Sequence, residues 1–196
     1  MPKLNYQVIF DYNPALSKIL IKYLNPKKEE RILDLGCGRG LYVKVIEKYT
    51  DKVIGIDINE KAVKKAVSKK VIYGDATDLS FEPNSFDKVY SLHTIEHIYD
   101  LRKFLKEVVR ILKPGGIFVL IYPWELIRGI QALGAAVINY GNPFKARDLH
   151  LHKLNPQKIK DLIEDLPFSH IKSKFIVALG LHYLTILRKK GHIVQR

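Results

Sequence analysis

The chain has 196 residues, of which 33 are lysine or arginine and 20 are aspartate or glutamate, giving a formal net charge of +13. A hydrophobic fraction of 47% and a charged fraction of 27% exclude a disordered or fibrous chain and predict a single domain over residues 1–196. The one cysteine excludes an internal disulfide and a structural zinc site built from cysteines.

The sequence also predicts where the protein resides. No uninterrupted apolar stretch reaches the roughly 18 residues of a membrane span, and the first residues lack the apolar core of a secretory signal. We therefore expect a soluble protein in the cytoplasm.

Positive charge is concentrated late in the chain. Residues 1–30 have 5 basic and 3 acidic side chains, residues 31–144 have 17 and 13, and residues 145–196 have 11 and 4. Residues 61–70 add five lysines without an acid. The ordinary interpretation is solvated surface, and the alternative is an electrostatic contact surface for RNA.

Helix and strand signals alternate along the chain. Residues 14–24 have apolar side chains at helical spacing, with Asn13 as an N-cap and Pro14 in the first turn. Strands are predicted at 31–35, 52–56, 71–73, 86–92 and 116–122. Helices are predicted at 41–49, 60–69, 101–112 and 157–166, and a closing hairpin at 170–178 and 182–188.

This alternation is typical of βαβ units. It predicts an α/β fold with a seven-stranded, mostly parallel sheet, helices on both faces and an antiparallel last strand. Ligands of such sheets bind outside the carboxyl ends of the strands, beside the switch in strand order. The residues that could bind a ligand or take part in a reaction fall at these ends.

A glycine-rich turn, Asp34-Leu-Gly36-Cys-Gly38-Arg-Gly40, follows the first strand and opens a helix. Glycines allow a tight turn and a close approach of ligand to backbone. Asp57 ends the next strand, where a carboxylate can accept both ribose hydroxyls of a nucleoside. The acid inside the turn would repel a pyrophosphate but suits an ammonium or sulfonium group. The turn therefore predicts a cationic nucleoside rather than NAD.

A third acid, Asp75, ends the following strand at the same edge of the sheet. Helix capping is the alternative interpretation of these acids, because Asp57 or Asn59 could cap the helix that begins near Glu60. Capping does not account for Asp34 and Asp75 together.

Five segments resemble, in order and spacing, the motifs of class I S-adenosylmethionine-dependent methyltransferases. They are ILDLGCGRG at 32–40, VIGIDIN at 53–59, GDATDL at 74–79, SFDKV at 85–89 and RILKPGG at 110–116. The most similar subgroup is the small, type-11-like one that includes ubiquinone and menaquinone-biosynthesis methyltransferases. The resemblance covers residues 30–122 and implies a Rossmann-like fold with S-adenosylmethionine as the cofactor.

The same resemblance implies cofactor contacts for the glycine turn. Gly36, Gly38 and Gly40 would line the methionine and ribose parts. Asp34 would sit near the methionine ammonium group. Cys37 would pack against the cofactor rather than act as a nucleophile.

Residues after the second and third strands would hold the nucleoside. By the resemblance, Asp57 would accept the ribose hydroxyls and Ile58 would pack on adenine. Asp75 and Ala76 would face the adenine edge.

The end of the fourth strand carries a second group of candidates. Ser91 and Leu92 would lie beside the methionine part of the cofactor by the same resemblance. His93-Thr-Ile-Glu96-His97 follows and matches the H-x-x-E-H signature of zinc proteases. We reject that interpretation, because similar family members carry a Leu-Glu-His-Ile-like segment here without a metal. His93 is the unusual residue and a candidate to reach the substrate, and a hydrogen-bonded rim histidine is the alternative.

Two more histidines, His150 and His152, would project to one side if residues 148–152 were extended. A histidine can take a proton from a hydroxyl or amine nucleophile near neutral pH. The candidate catalytic residues are therefore His93, His150 and His152. A two-histidine metal site lacks an obvious third ligand nearby in the sequence, so no metal is predicted.

Two segments are expected to select the methyl acceptor. One is an N-terminal cap, residues 1–30, with Tyr6, Phe10 and Tyr12, and the other is a helical lid at 123–150 with Trp124 and an apolar face. Ordinary core packing is the alternative interpretation of both aromatic sets.

The implied reaction is in-line transfer of a methyl group to an oxygen or nitrogen nucleophile of a small molecule, with a hydrophobic one favoured if the lid contacts it. The alternatives are an RNA methyltransferase and a non-catalytic RNA-binding protein of the same fold, both of which would use the basic residues 145–196.

Overall fold

The sheet organises the computed structural model, which describes residues 12–191. Its strands are β1 (Ile32–Leu35), β2 (Val53–Asp57), β3 (Val71–Tyr73), β4 (Phe86–Leu92), β5 (Leu112–Pro123), β6 (Phe168–Val177) and β7 (Leu181–Lys189). They lie in the order β3-β2-β1-β4-β5-β7-β6. Strands β1 to β5 pair in parallel, whereas β7 is antiparallel to both β5 and β6. The predicted α/β, Rossmann-like fold with an antiparallel last strand is confirmed.

Helices connect these strands. They are α1 (Pro14–Leu24), α2 (Leu41–Ile46), α3 (Glu60–Lys64), α4 (Leu101–Ile111), α5 (Leu133–Tyr140), α6 (Ala146–Leu149) and α7 (Pro156–Leu162). Short 3-10 turns lie at Ile95–His97, Ile130–Ala132 and Pro143–Lys145. Within residues 12–191, every helix falls short of the length and apolar character that a membrane crossing requires.

Helix α1 shows why the local prediction succeeds. The Asn13 side chain accepts hydrogen bonds from the backbone N–H groups of Ala15 and Leu16, and Pro14 occupies the first turn. The buried apolar residues Leu16, Leu20 and Leu24 recur every four positions and face the sheet.

The sheet separates two apolar layers. Successive residues of β4 alternate between them: Val89 packs with the α4 residues Phe104 and Val108, and Tyr90 packs with the α1 residue Leu20. Helices therefore cover both faces of the sheet. The rim formed by the carboxyl ends of the parallel strands is where ligands of such sheets bind.

Some predicted boundaries are wrong. Helix α2 ends at Ile46 rather than at residue 49, and α3 ends at Lys64 rather than at residue 69. Beyond α3 the chain turns back toward the glycine turn, where the Val67 N–H donates to the Arg39 carbonyl at 2.9 Å. Strand β5 begins at Leu112 instead of residue 116, because Leu112 already pairs with Phe86.

Candidate active site

The glycine turn between β1 and α2 has a backbone that only glycine adopts easily. Gly36, Gly38 and Gly40 have φ values of +76°, +55° and +76°. A Cβ atom at Gly36 would overlap the side chain of Thr94, which follows β4. At Gly38 no described atom lies within 4 Å of such a Cβ position. The turn is thus packed against the β4 rim at one end and open for a ligand in its middle.

Asp57, at the end of β2, holds the glycine turn in place. Its Oδ2 accepts the Gly38 N–H at 2.7 Å, and its Oδ1 accepts the Asn59 N–H at 2.8 Å. Burial raises the pKa of Asp57, and these backbone hydrogen bonds oppose that rise. The α3 cap is the Asn59 side chain, which accepts the N–H groups of Lys61 and Ala62. Asp57 therefore keeps carboxylate lone pairs that further hydrogen-bond donors could use.

Asp34 is a buried acid that lies beside the Tyr90 hydroxyl. It is 2% exposed, and its Oδ2 has no hydrogen-bond partner among the described residues. Burial raises the pKa of Asp34 well above its usual range. The neighbouring Tyr90 hydroxyl opposes that rise, and the charge of Asp57 adds to it. A cationic ligand group beside this carboxyl would reverse the effects of burial and of Asp57.

Near the turn, the Ser91 hydroxyl and the Cys37 thiol are both buried and contact other parts of the protein. The Ser91 hydroxyl donates to the Leu35 carbonyl at 3.1 Å and joins β4 to β1. Cys37 packs on β2, where a Cβ on Gly55 would come within 2.8 Å of its sulfur. Burial raises the pKa of the Cys37 thiol far above its usual value, which agrees with a packing role rather than a nucleophilic one.

The predicted adenine contacts lie along the neighbouring strand ends. Ile58 is 61% exposed and directly follows Asp57. Ala76 is buried, and Leu92 at the end of β4 is buried in the opposite layer. The Asp75 Oδ1 accepts the N–H and hydroxyl of Thr77, so this acid also shapes its own turn.

A histidine cluster follows β4. His93 has φ +52°, which is uncommon outside glycine, and its Nδ1 lies 3.3 Å from Glu96 Oε1. Its ring meets the ring of His182, on β7, edge to face at 4.8 Å. Burial and the neighbouring His93 lower the pKa of His182 to about 4. Sequence reasoning missed His182, because 89 residues separate it from His93.

Glu96 is the buried centre of this cluster. It is 1% exposed, and its Oε2 has no hydrogen-bond partner in the part of the chain that the structure describes. Burial opposes its ionisation, but His93, His97 and His150 together lower the pKa of Glu96 to about 2. The carboxylate is therefore charged and incompletely satisfied.

His150 is held by an acid that the sequence analysis missed. Its Nδ1 lies 2.7 Å from Oε1 of the buried Glu125, and its ring meets that of His97 at 5.0 Å. Burial lowers the pKa of His150, but Glu125 and Glu96 together outweigh that effect, so the net shift is upward. Glu125 also accepts the N–H groups of Gly129 and Gln131. The acid follows an apolar strand in the sequence, where nothing local marks it as a histidine partner.

The extended conformation expected for residues 148–152 is wrong for residues 148 and 149. Residues 146–149 form α6, because the His150 N–H closes the helix onto the Ala146 carbonyl. His152 Nε2 instead lies 2.8 Å from the Ile98 carbonyl. The two histidines thus have different partners.

Residues 123–150 begin at the end of β5 and contain two 3-10 turns and the helices α5 and α6. A small core of Ala132, Ala136, Ala146 and Leu149 holds this segment together. Its exposed apolar residues are Leu126, Ile127, Ile130, Leu133, Val137, Ile138, Tyr140 and Phe144. Trp124 packs on Phe175, and Tyr12 packs on Tyr42, but Tyr12 and Phe175 are themselves exposed. Tyr6 and Phe10 lie outside the described residues.

Comparisons with known proteins agree with this geometry. Residues 33–120 match a family described as a methyltransferase domain. Sterol 24-C-methyltransferase of Aspergillus fumigatus is 37% identical over 109 residues, which are 50% of this chain and 29% of that protein. Demethylmenaquinone methyltransferase of Staphylococcus aureus is 33% identical over 127 residues, 60% of this chain and 53% of that protein. The chain therefore spans about half or less of the length of these curated relatives.

A solved structure shares the fold over nearly the whole chain. It comes from a complex of the Haloferax volcanii Trm112 methyltransferase activator with a methyltransferase, and has a TM-score of 0.75 and 18% identity. The match covers 93% of this chain and 91% of that chain. The sheet order and the match over residues 33–120 together make this part of the chain similar to methyltransferase domains.

Proposed function

We propose that this protein transfers the methyl group of S-adenosylmethionine to an oxygen or nitrogen nucleophile of a small hydrophobic molecule. The observation that carries the proposal is the meeting of Asp34, Asp57 and the open glycine turn at the carboxyl ends of β1 and β2. A buried acid with one oxygen that lacks a hydrogen-bond partner, and an acid with remaining lone pairs, suit a ligand with an ammonium group and two vicinal hydroxyls. The residues present therefore fit the cofactor of the family.

The residues of this edge would divide the binding between them. Asp34 would accept a hydrogen bond from the methionine ammonium group, and Asp57 would accept the ribose hydroxyls. Ile58, Asp75 and Ala76 would surround adenine, and Ser91 and Leu92 would border the methionine part. When bound, S-adenosylmethionine supplies an activated methyl group, so the protein mainly positions the two reactants and excludes water.

His93 is the histidine best placed to contact the acceptor. Its side chain is 35% exposed at the rim after β4. His150, by contrast, is 7% exposed and bound to Glu125, and His152 is engaged with the Ile98 carbonyl. Of the three predicted catalytic residues, we therefore assign acceptor contact to His93.

The lid segment supports an apolar acceptor. A groove of about 500 Å³ in residues 127–147 is lined by Ile127, Leu133 and Phe144 and bordered by Arg128 and Arg147. Exposed apolar side chains beside a groove are typical of surfaces that bind apolar ligands. The names of the two curated relatives refer to a sterol and to demethylmenaquinone as acceptors, and the first name specifies transfer to a carbon atom.

An RNA acceptor is the second candidate, favoured by one surface. The edge strand β6 exposes Lys172 and Lys174, and the Lys174 ammonium lies 5.9 Å from the centre of the Tyr23 ring. Cations beside an aromatic ring are suited to backbone contacts and base stacking. Retention on total RNA that falls steeply with salt, together with methyl transfer into RNA, would favour this acceptor. Retention without transfer would favour the non-catalytic alternative.

The cytoplasmic location stays a prediction.

Calorimetry with S-adenosylmethionine tests the function. We expect one site, and Asp57→Ala should weaken binding tenfold or more because it removes the ribose acceptor and the tether of Gly38. Asn59→Ala is the matched control: it removes the α3 cap, costs about 1 kcal/mol of stability and leaves binding within twofold. A wild-type protein that binds no S-adenosylmethionine would contradict the proposed function.

A further inference from the structure

Three side chains able to bind a metal meet beneath the lid segment. Glu96 and His97 come from the 3-10 turn after β4, and His150 follows α6, more than fifty residues later in the chain. One ligand atom from each lies within 4.8 Å of the other two. The Oε2 atom of Glu96 is buried and has no hydrogen-bond partner within residues 12–191. This carboxylate therefore lacks the partner that a buried charge requires.

Hydrogen bonds fix the ring orientation of both histidines. His97 Nδ1 lies 2.5 Å from the Leu149 carbonyl oxygen, which can only accept, so Nδ1 carries the proton. His150 Nδ1 likewise donates to the Glu125 carboxylate at 2.7 Å. In both rings the lone pair is then on Nε2. Metal-binding histidines characteristically have their other nitrogen held by a carbonyl or a carboxylate in this way.

We propose that Glu96, His97 and His150 bind a divalent transition-metal ion, with Zn²⁺ as the best match. Two imidazole nitrogens and one carboxylate oxygen form a known zinc ligand set that leaves a fourth position for water or substrate. Atoms about 2.1 Å from one tetrahedral ion are about 3.4 Å apart, so the widest separation here has to close by about 1.4 Å. The ion would supply the missing partner of Glu96.

The ligand set differs from the H-x-x-E-H reading of this segment. There two histidines bind the metal and the glutamate is a base, whereas here His93 lies against His182 and the glutamate itself is a ligand. The third ligand comes from the end of residues 123–150. The backbone already joins these parts, because the N–H groups of Leu151 and His152 donate to the Glu96 carbonyl. A bound ion would therefore fasten the lid segment to the rim of β4.

Titration of the EDTA-treated, dialysed full-length protein with Zn²⁺ alone tests this site. We expect one ion per chain, and His150→Ala and Glu96→Gln should each weaken binding at least 100-fold because each removes one of three ligands. Glu125→Gln should weaken it about tenfold, since it alters only the partner that orients His150. The control is His170→Ala: this histidine bonds to Ser173 on β6, and its loss should change affinity less than twofold.

The outcomes separate a built site from adventitious binding. No stoichiometric binding, or His170→Ala losing as much affinity as His150→Ala, would overturn the proposal. If the ligand variants do not fold, the wild-type protein still decides: Zn²⁺ should shift the imidazole NMR signals of two histidines, and Co²⁺ should give visible absorption of a four- or five-coordinate site. Unchanged spectra would overturn the proposal. S-adenosylmethionine is absent throughout, so failure here is distinguishable from failure of the proposed methyl transfer.

Discussion

The glycine turn and the lid segment are held by different kinds of contact. At the turn, backbone groups dominate: Asp57 accepts two backbone N–H groups, and Gly36 lies directly against Thr94. In residues 123–150 a small alanine-rich core and the pair of Glu125 with His150 hold helices that leave many apolar side chains exposed. On this basis we propose that the cofactor is bound by the rigid sheet edge and the methyl acceptor by the less packed segment.

The largest expected effect comes from Gly36→Ala. The new Cβ would overlap Thr94, and φ +76° would be strained for alanine, so unfolding free energy should fall by about 2–4 kcal/mol and cofactor binding should be lost. Urea denaturation and calorimetry measure both.

Gly38→Ala is the matched control for that substitution. It has similar backbone strain but open space around the new Cβ, so about 1–2 kcal/mol should be lost. Equal losses at the two positions would show that contact with the β4 rim does not matter.

A second prediction separates ligand binding from stability at Asp34. Since burial raises its pKa in the folded state, the wild type is penalised as pH rises from about 4 toward that pKa. Asp34→Asn should therefore be more stable than wild type at pH 8, on the order of 1 kcal/mol, with the gap narrowing at low pH. The same variant should bind S-adenosylmethionine at least tenfold more weakly.

Urea denaturation at several pH values, paired with calorimetry, measures this trade-off. A wild type more stable than Asp34→Asn at pH 8 would contradict the claim that the Asp34 carboxylate lowers stability when no cationic ligand is bound.

The smallest effect is expected in the lid segment. Leu133→Asp and Phe144→Asp should reduce the fluorescence of a bound apolar dye, 8-anilinonaphthalene-1-sulfonate, by half or more, because both residues line the groove. Stability should change by no more than about 0.5 kcal/mol, since both side chains are exposed.

Leu179→Asp is the control for the dye experiment. Leu179 is 87% exposed in the turn between β6 and β7, away from the groove residues in the chain, and its substitution should leave the fluorescence unchanged. An equal loss of dye fluorescence in all three variants would contradict the proposal that the groove is an apolar binding site.

The same two regions explain what the sequence could predict. The strand ends, the glycine turn and the Asn13 cap depend on neighbours within a few residues, so their patterns are visible in the chain itself. Helix α3 was predicted too long because the contact of Val67 with Arg39, which ends the helical run, is not a local one.

The lid contacts could not be predicted for the same reason. Glu125 meets His150 across 25 residues, and His93 meets His182 across the β5 and β7 pairing. Periodicity indicates which face of an element is buried, but not which side chains of distant elements meet there.

Parallel titration of the wild-type protein with S-adenosylmethionine and with NAD tests the central claim most directly. The buried acid Asp34, in the strand that precedes the glycine turn, should favour the cationic nucleoside. We therefore expect one S-adenosylmethionine site that is at least 100-fold tighter than any NAD binding. Equal affinity for the two, or no binding of S-adenosylmethionine, would contradict it.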